Sequence, residues 1–254
     1  MSATRQLGLI GYPLSHSFSK KYFADKFEAE GIPNHHYELY PLEKIEDFPL
    51  LLKTVPNLVG INVTIPYKQQ VMRYLDDIEE EAAKVGAVNT IKIEGGRLKG
   101  YNTDIYGFEN TLLELLANAT TPMTSLKALI LGTGGAAKAV HYVLDKLGIF
   151  SQFVSRSPKE DRLTYQELSP FVFEDYRIII NTTPLGMSPN IHSCPSLPYE
   201  AINKDYFLYD LVYNPAQTLF LKKGSEQGAA TRNGHQMLIL QAEKAWSIWT
   251  GKPI

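Results

Sequence analysis

The sequence predicts an α/β chain of two domains, an N-terminal α/β domain followed by a doubly wound parallel sheet. Three observations carry this. Strand-like and helix-like runs alternate through the first hundred residues. The apolar run Lys127-Ala128-Leu129-Ile130-Leu131 breaks into Gly132-Thr133-Gly134-Gly135 and resumes as a helical pattern. Beyond it, strand candidates recur between helical or loop segments, the rhythm of a parallel sheet with helical crossovers.

In order, Leu7 to Ile10 ending at Gly11 reads as a strand, Ser15 to Glu30 as a helix, His36 to Tyr40 as a strand and Ile45 to Leu52 as a short helix. Leu58 to Ile65 is the next strand. A helical segment is expected over Tyr67 to Leu75 and an acidic helix around Glu79 to Lys84. Ala87 to Ile93 and Leu98 to Tyr101 flank Glu94-Gly95-Gly96-Arg97, which has the glycine content of a hairpin turn. Asp104 to Leu116 has helical spacing of Ile105, Phe108, Leu112, Leu115 and Leu116, and the polar break Asn118 to Pro122 precedes the glycine strand. After a helix over Ala136 to Leu147 come strand candidates at Phe150 to Ser155, Arg177 to Asn181, Phe207 to Tyr213 and Gly228 to Thr231. Ser188 to Pro198 is a surface loop, and Gln236 to Trp249 is the last helix. The domains are placed at 1–103 and 104–234, with the helical segment 235–254 packing back on the first.

In the glycine segment, Gly132 can take a sharp turn, Gly134 lets the backbone approach a pyrophosphate, and the small Ala137 allows close helix-on-strand packing. The helix beginning near Gly135 offers free N–H groups and its positive dipole end to phosphates. This is a Rossmann-like dinucleotide site. An NAD site carries an acidic residue about 20 positions further on. Here that place is Val154-Ser155-Arg156-Ser157-Pro158-Lys159, where Arg156, with Ser155, Ser157 and Lys159, suits a 2′-phosphate. The cofactor expected is NADP.

Composition narrows the partners. A net charge of -2 with both signs dispersed, and no basic stripe among aromatics, argues against nucleic acid and for a small-molecule substrate. One cysteine, Cys194, excludes an internal disulfide framework, and no Cys/His group has metal-ligand spacing, so no metal is expected. The start Met-Ser-Ala-Thr-Arg enters a strand without an apolar signal segment and no run is long enough to span a membrane, which predicts a cytoplasmic protein. A monomer or a homodimer is compatible with the sequence.

Several polar residues sit where a core pattern does not want them. Asn62 and Thr64 interrupt an apolar strand, and Lys68 is expected in the first turn of a helix, where a cation opposes the dipole. Ser15 and Ser17 precede a helix that they are suited to cap, as does Asp104, and Asn89 suits a turn. Together they fall at strand ends and helix starts, where ligand groups gather in α/β folds. The six histidines show no nucleophile and carboxylate pattern.

The chain resembles the shikimate dehydrogenase family through an ordered set of segments: Gly11-Tyr12-Pro13-Leu14-Ser15-His16-Ser17, Asn62-Val63-Thr64-Ile65-Pro66-Tyr67-Lys68, Gly86 to Thr90, Tyr101-Asn102-Thr103-Asp104, Gly132 to Ala136, Asn181 to Met187, Asp210 to Pro215 and Met237 to Gln241. The resemblance implies reversible NADPH-dependent reduction of 3-dehydroshikimate to shikimate. It implies Lys68 and Asp104 as catalytic pair, and Ser15, Ser17, Thr64, Asn89, Tyr213 and Gln241 as substrate residues in a cleft between domains. The cofactor residues expected are Gly132, Gly134, Gly135, Ala136, Ser155, Arg156, Ser157, Lys159, Thr182 and Gly234. Where the family usually shows Asn-Arg-Thr after the second strand, this chain has Ser155-Arg156-Ser157, which predicts a weaker preference for NADP. Ser17 stands where quinate-using relatives often carry Thr, which favours shikimate. The competing readings are a quinate/shikimate dehydrogenase with relaxed cofactor use and a non-enzymatic sensor of the acid or the cofactor.

Overall fold

A computed structural model describes residues 4–14 and 17–254; the expected substrate residue Ser15 lies outside them. By compactness the chain divides into Met1–Thr103 with Ala242–Ile254, and Asp104–Gln241. The elements up to the boundary are β1 (Arg5–Gly11), α1 (Phe18–Ala29), β2 (His35–Pro41), α2 (Phe48–Thr54), β3 (Leu58–Val63), β4 (Asp77–Ile78), α3 (Glu80–Val85), β5 (Thr90–Glu94) and β6 (Arg97–Tyr101). Then follow α4 (Thr103–Leu116), β7 (Lys127–Leu131), α5 (Gly135–Lys146), β8 (Phe150–Ser155), β9 (Arg162–Thr164), α6 (Pro170–Glu174), β10 (Ile178–Asn181), β11 (Phe207–Asp210), α7 (Leu219–Glu226), β12 (Ala230–Arg232) and α8 (His235–Thr250).

The first unit is a mixed sheet in the order β2-β1-β3-β5-β6-β4. β1 runs parallel to β2 and β3, while β5 and β6 form the expected hairpin and join β3 antiparallel. The last turns of α8 close one apolar cluster: Ala245, Trp246 and Trp249 are buried with Leu7, Phe23, Phe27 and Tyr37. Gly60 makes this possible, because a Cβ there would sit 2.4 Å from the Trp249 indole nitrogen. That nitrogen donates to the Ile91 carbonyl at 3.0 Å. The other cluster gathers Ile61, Val63, Tyr67, Val71, Val88 and Ile91.

The second unit is a wholly parallel sheet in the order β12-β11-β10-β7-β8-β9. Counted from β7 this is the 3-2-1-4-5-6 order of the dinucleotide fold, with the reversal between β7 and β10. Ala128 to Leu131 and Ile178 to Ile180 are fully buried, as parallel strands covered on both faces must be. β9, three residues with a single aliphatic side chain, carries no periodic signal of its own and exists because β8 pairs with it.

The segment after Pro66 departs from expectation. No α-helix runs from Tyr67; a 3₁₀ helix spans Gln70–Tyr74 instead. The Lys68 carbonyl, which a helix would bond internally, accepts the Val88 N–H at 2.7 Å. Tyr67 donates its N–H back to Thr64 and buries its ring. Lys68 therefore sits in a turn, and the argument from an opposing helix dipole does not apply to it.

Candidate active site

In the second unit the candidate phosphate cradle is made of backbone. Gly132 turns at φ +112°, where a Cβ would lie 2.7 Å from Thr182 Oγ1. The Thr182 hydroxyl donates to the Leu131 carbonyl at 2.7 Å, so it fastens the ends of β7 and β10 together at the topological switch point. Gly134 caps α5 at φ -78°, a conformation open to any residue, and beyond its chain neighbours a Cβ there would meet no atom of the described residues within 4 Å. Packing among the described residues does not call for glycine at that position. The requirement that remains is close approach from outside, which a pyrophosphate at a helix N-terminus supplies. Gly135 and Ala136 open the helix, and buried Ala137 seats it on the sheet.

At the end of β8, Ser155 Oγ donates to the Ser157 carbonyl at 2.6 Å and accepts the Ser157 N–H at 3.1 Å. The turn uses the Ser155 hydroxyl locally and leaves Arg156, Ser157 and Lys159 exposed. Arg156 enters no ion pair among the described residues, whereas the nearby Asp161 is taken by Arg162 at 2.7 Å. A cation left without a carboxylate at this strand end fits a 2′-phosphate.

A buried polar network orders the loops beyond β10 and β11. Asn181, Asp210 and Thr218 are all fully buried. Asp210 accepts from Asn181 Nδ2 at 2.9 Å, the Val212 N–H at 3.0 Å and Thr218 Oγ1 at 2.5 Å. Asn181 Oδ1 accepts from the N–H and hydroxyl of Thr183. Burial pushes the Asp210 carboxyl up to about 6, against the opposing pull of these donors. In the sequence Asn181 and Asp210 stand out only as parts of motifs; their role is visible once β10 and β11 are seen to be neighbours.

The same unit places Asp104, Tyr213, Gly234 and Gln241. Asp104 is buried in the first turn of α4 rather than capping it. Gly107 lies one turn on, on the same face, and a Cβ there would be 2.6 Å from the Met237 carbonyl and 3.0 Å from Gln241 Cγ. The missing side chain lets α8 lie against α4 and sets Gln241 beside the face that carries Asp104. Gly234 is required for an internal reason: a Cβ would sit 2.1 Å from the Leu211 carbonyl oxygen. Its N–H bonds Val212 at 3.2 Å, which fixes the start of α8 to the loop bearing the half-buried Tyr213.

In the first unit, Thr64, Lys68 and Asn89 are tied by main-chain bonds at the ends of β1 and β3. The Thr64 N–H donates to Ile10 at 2.9 Å, the Val63 N–H to Asn89 at 2.8 Å, and Lys68 accepts from Val88. Asn89 is 5% exposed, and its Oδ1 accepts the Thr103 N–H at 2.7 Å. Ser17 occupies the N-cap position of α1 yet makes no capping bond. Its hydroxyl oxygen is buried without a hydrogen-bond partner among the described residues. A buried hydroxyl without a partner among the described residues is unusual in a native fold and calls for a partner from outside them, such as a water or a ligand.

Residues 9–91 match the family model described as the shikimate dehydrogenase substrate binding domain. A shikimate dehydrogenase (NADP(+)) of Halothermothrix orenii is 39% identical over 98% of this chain and 92% of that protein. The shikimate 5-dehydrogenase of Thermus thermophilus, solved in complex with NADP(H) and shikimate, superposes with a TM-score of 0.83 at 31% identity, covering 98% of this chain and 94% of that one. A quinate dehydrogenase from Corynebacterium glutamicum in complex with NAD gives a TM-score of 0.86 at 28% identity, over 99% and 95% of the two chains. With relatives of this identity matched over nearly their whole length, the chain belongs to the shikimate dehydrogenase family.

Proposed function

We propose that Lys68 and Asp104 are the catalytic pair for the family's reaction in this chain, the reversible reduction of 3-dehydroshikimate to shikimate with NADPH. Bound NADPH supplies the hydride. The chain's own residues must then handle the proton, since a ketone that gains hydride needs a donor at its oxygen and the reverse reaction an acceptor. Lys68 holds that proton and stabilises negative charge developing on the oxygen. Asp104 accepts a hydrogen bond from the reacting end and helps orient it. Ser15, Ser17, Thr64, Asn89, Tyr213 and Gln241 bind the carboxylate and hydroxyls. The backbone of Gly132 to Ala136 holds the pyrophosphate and Arg156 the 2′-phosphate, with Ser157 and Lys159 beside it. The domains proposed for these tasks are 1–103 with the returning segment 235–254, and 104–234.

The observation that supports this reading most directly is the Ser17 hydroxyl, buried and without a partner among the described residues in a residue type that would ordinarily cap its helix. A bound carboxylate or hydroxyl satisfies it. The test is nicotinamide absorbance on mixing the purified chain with shikimate or quinate, each with NADP⁺ and NAD⁺. Fast reduction of NADP⁺ with shikimate alone is expected. Equal rates with NAD⁺ would show that the Ser155 to Lys159 loop does not select the phosphate, and faster turnover of quinate would overturn the substrate assignment. Absence of reduction in every combination, from a folded sample, would favour the sensor.

A further inference from the structure

The orientation of the Asn89 amide is dictated by groups that can play only one role. The Thr103 main-chain N–H can only donate, so the Asn89 side-chain atom 2.7 Å away is the oxygen. Thr103 Oγ1 at 3.2 Å and Thr90 Oγ1 at 3.1 Å donate to the same oxygen. The planar amide thereby presents its NH₂ on the opposite edge. Thr90 has its proton to give because Asn62 Nδ2 donates to it, at 3.0 Å. Asn62 is oriented in the same way: its Nδ2 also lies 3.3 Å from the Asn89 carbonyl, which can only accept. Asn62 Oδ1 therefore faces Tyr37, whose hydroxyl donates to it at 2.8 Å.

The result is a one-way chain of hydrogen bonds from Tyr37 in β2 through Asn62 in β3 and Thr90 in β5 to Asn89. Thr90, Thr103 and Asn89 are buried, and in that low-dielectric setting a flipped amide would set oxygen against oxygen. Resting on the reading of Asn89 as a substrate residue, we infer that Tyr37, Asn62 and Thr90 are positioning residues that lock Asn89 as a pure donor. Asn89 then recognises only acceptor atoms, a hydroxyl oxygen or the carbonyl oxygen of the oxidised acid. This assigns Asn62, singled out in the sequence as a candidate ligand, to the support of its neighbour.

The test is a double-mutant cycle read by calorimetric shikimate binding, KM, kcat and thermal midpoint. Thr90→Val removes the hydroxyl at nearly constant volume. It is expected to weaken shikimate binding and raise its KM about five- to tenfold, the scale of one buried hydrogen bond, with kcat and NADP⁺ affinity within about twofold. Thr90→Ser restores the wild-type values. In an Asn89→Ala background, Thr90→Val adds no further loss of shikimate affinity. Tyr37→Phe, which keeps the ring, shifts binding in the same direction by less and carries the same comparison should Thr90→Val not fold. Wild-type affinity in both variants, or a Thr90→Val effect of equal size without the Asn89 amide, overturns the inference while leaving the dehydrogenase reading intact. A wild-type chain that neither binds nor oxidises shikimate overturns both.

Discussion

The two halves of this chain build their ligand surfaces from different materials. In the parallel-sheet half the proposed phosphate cradle is main chain: a turn at Gly132, an open cap at Gly134 and the N–H groups of α5. In the mixed-sheet half the candidate groups are side chains on turns, with Ser17 at a helix start, Lys68 in a turn and Asn89 aimed by a buried polar network. A backbone site is governed by where a Cβ can be tolerated. A side-chain site is governed by which hydrogen bonds hold each group in place. Substitutions should therefore act by volume in one half and by polarity in the other.

The largest expected effect tests the side-chain half. Lys68→Ala should lower kcat by about 10³-fold, the scale of one general acid–base group, with NADP⁺ affinity near that of wild type. Lost cofactor binding with turnover preserved would reverse the roles assigned to the halves. Next comes one substitution made at two glycines. Gly234→Ala forces a Cβ onto the Leu211 carbonyl and is expected to destabilise by about 3 kcal/mol in urea unfolding. Gly134→Ala meets open space, so stability should stay within about 1 kcal/mol while the KM for NADP⁺ rises about tenfold or more. Equal outcomes at the two positions would mean that the cradle is not built for a ligand.

Asp210 gives a smaller, pH-dependent effect. In the folded chain its carboxyl holds a proton up to about pH 6, against an ordinary value of 3.8. Protonation therefore favours the folded state below pH 4, and that contribution is lost as pH rises through about 6. The gap corresponds to at most about 3 kcal/mol. Wild-type stability, measured against Asp210→Asn from pH 4 to 7, should fall by up to that amount; a constant difference would show that its three donors keep the carboxylate ionised. The smallest effect is expected at Ser17. Ser17→Ala should leave stability unchanged or raise it by about 1 kcal/mol, because an unsatisfied buried hydroxyl is removed, while the KM for shikimate rises about tenfold. A clear loss of stability would identify Ser17 as a structural residue.

Much of the parallel-sheet half is legible in the sequence because its signals are local. The aliphatic runs of β7 and β10 and the glycine break at 132–135 each lie within a dozen consecutive residues, and burial on both faces of a sheet leaves continuous apolar text. The candidate residues of the other half are recognisable by their types and positions, but two of their environments are not. Lys68 has the local signature of a helix, and a bond to Val88, twenty positions away, holds it in a turn. Asn62 reads like the ligand residues around it because nothing local shows that Tyr37 and Thr90 occupy its hydrogen bonds.

The sequence by itself determined the two-part α/β architecture, the dinucleotide turn and the family, since periodicity, turn chemistry and ordered motifs are written in neighbouring residues. Only the tertiary structure decided why Gly107 and Gly234 are glycine, which way the Asn89 amide points, and that Ser17 does not cap its helix. Each of those depends on an atom from a distant segment arriving within hydrogen-bonding or contact distance, or failing to arrive. Proximity of that kind is a property of packing, and no window of sequence contains it.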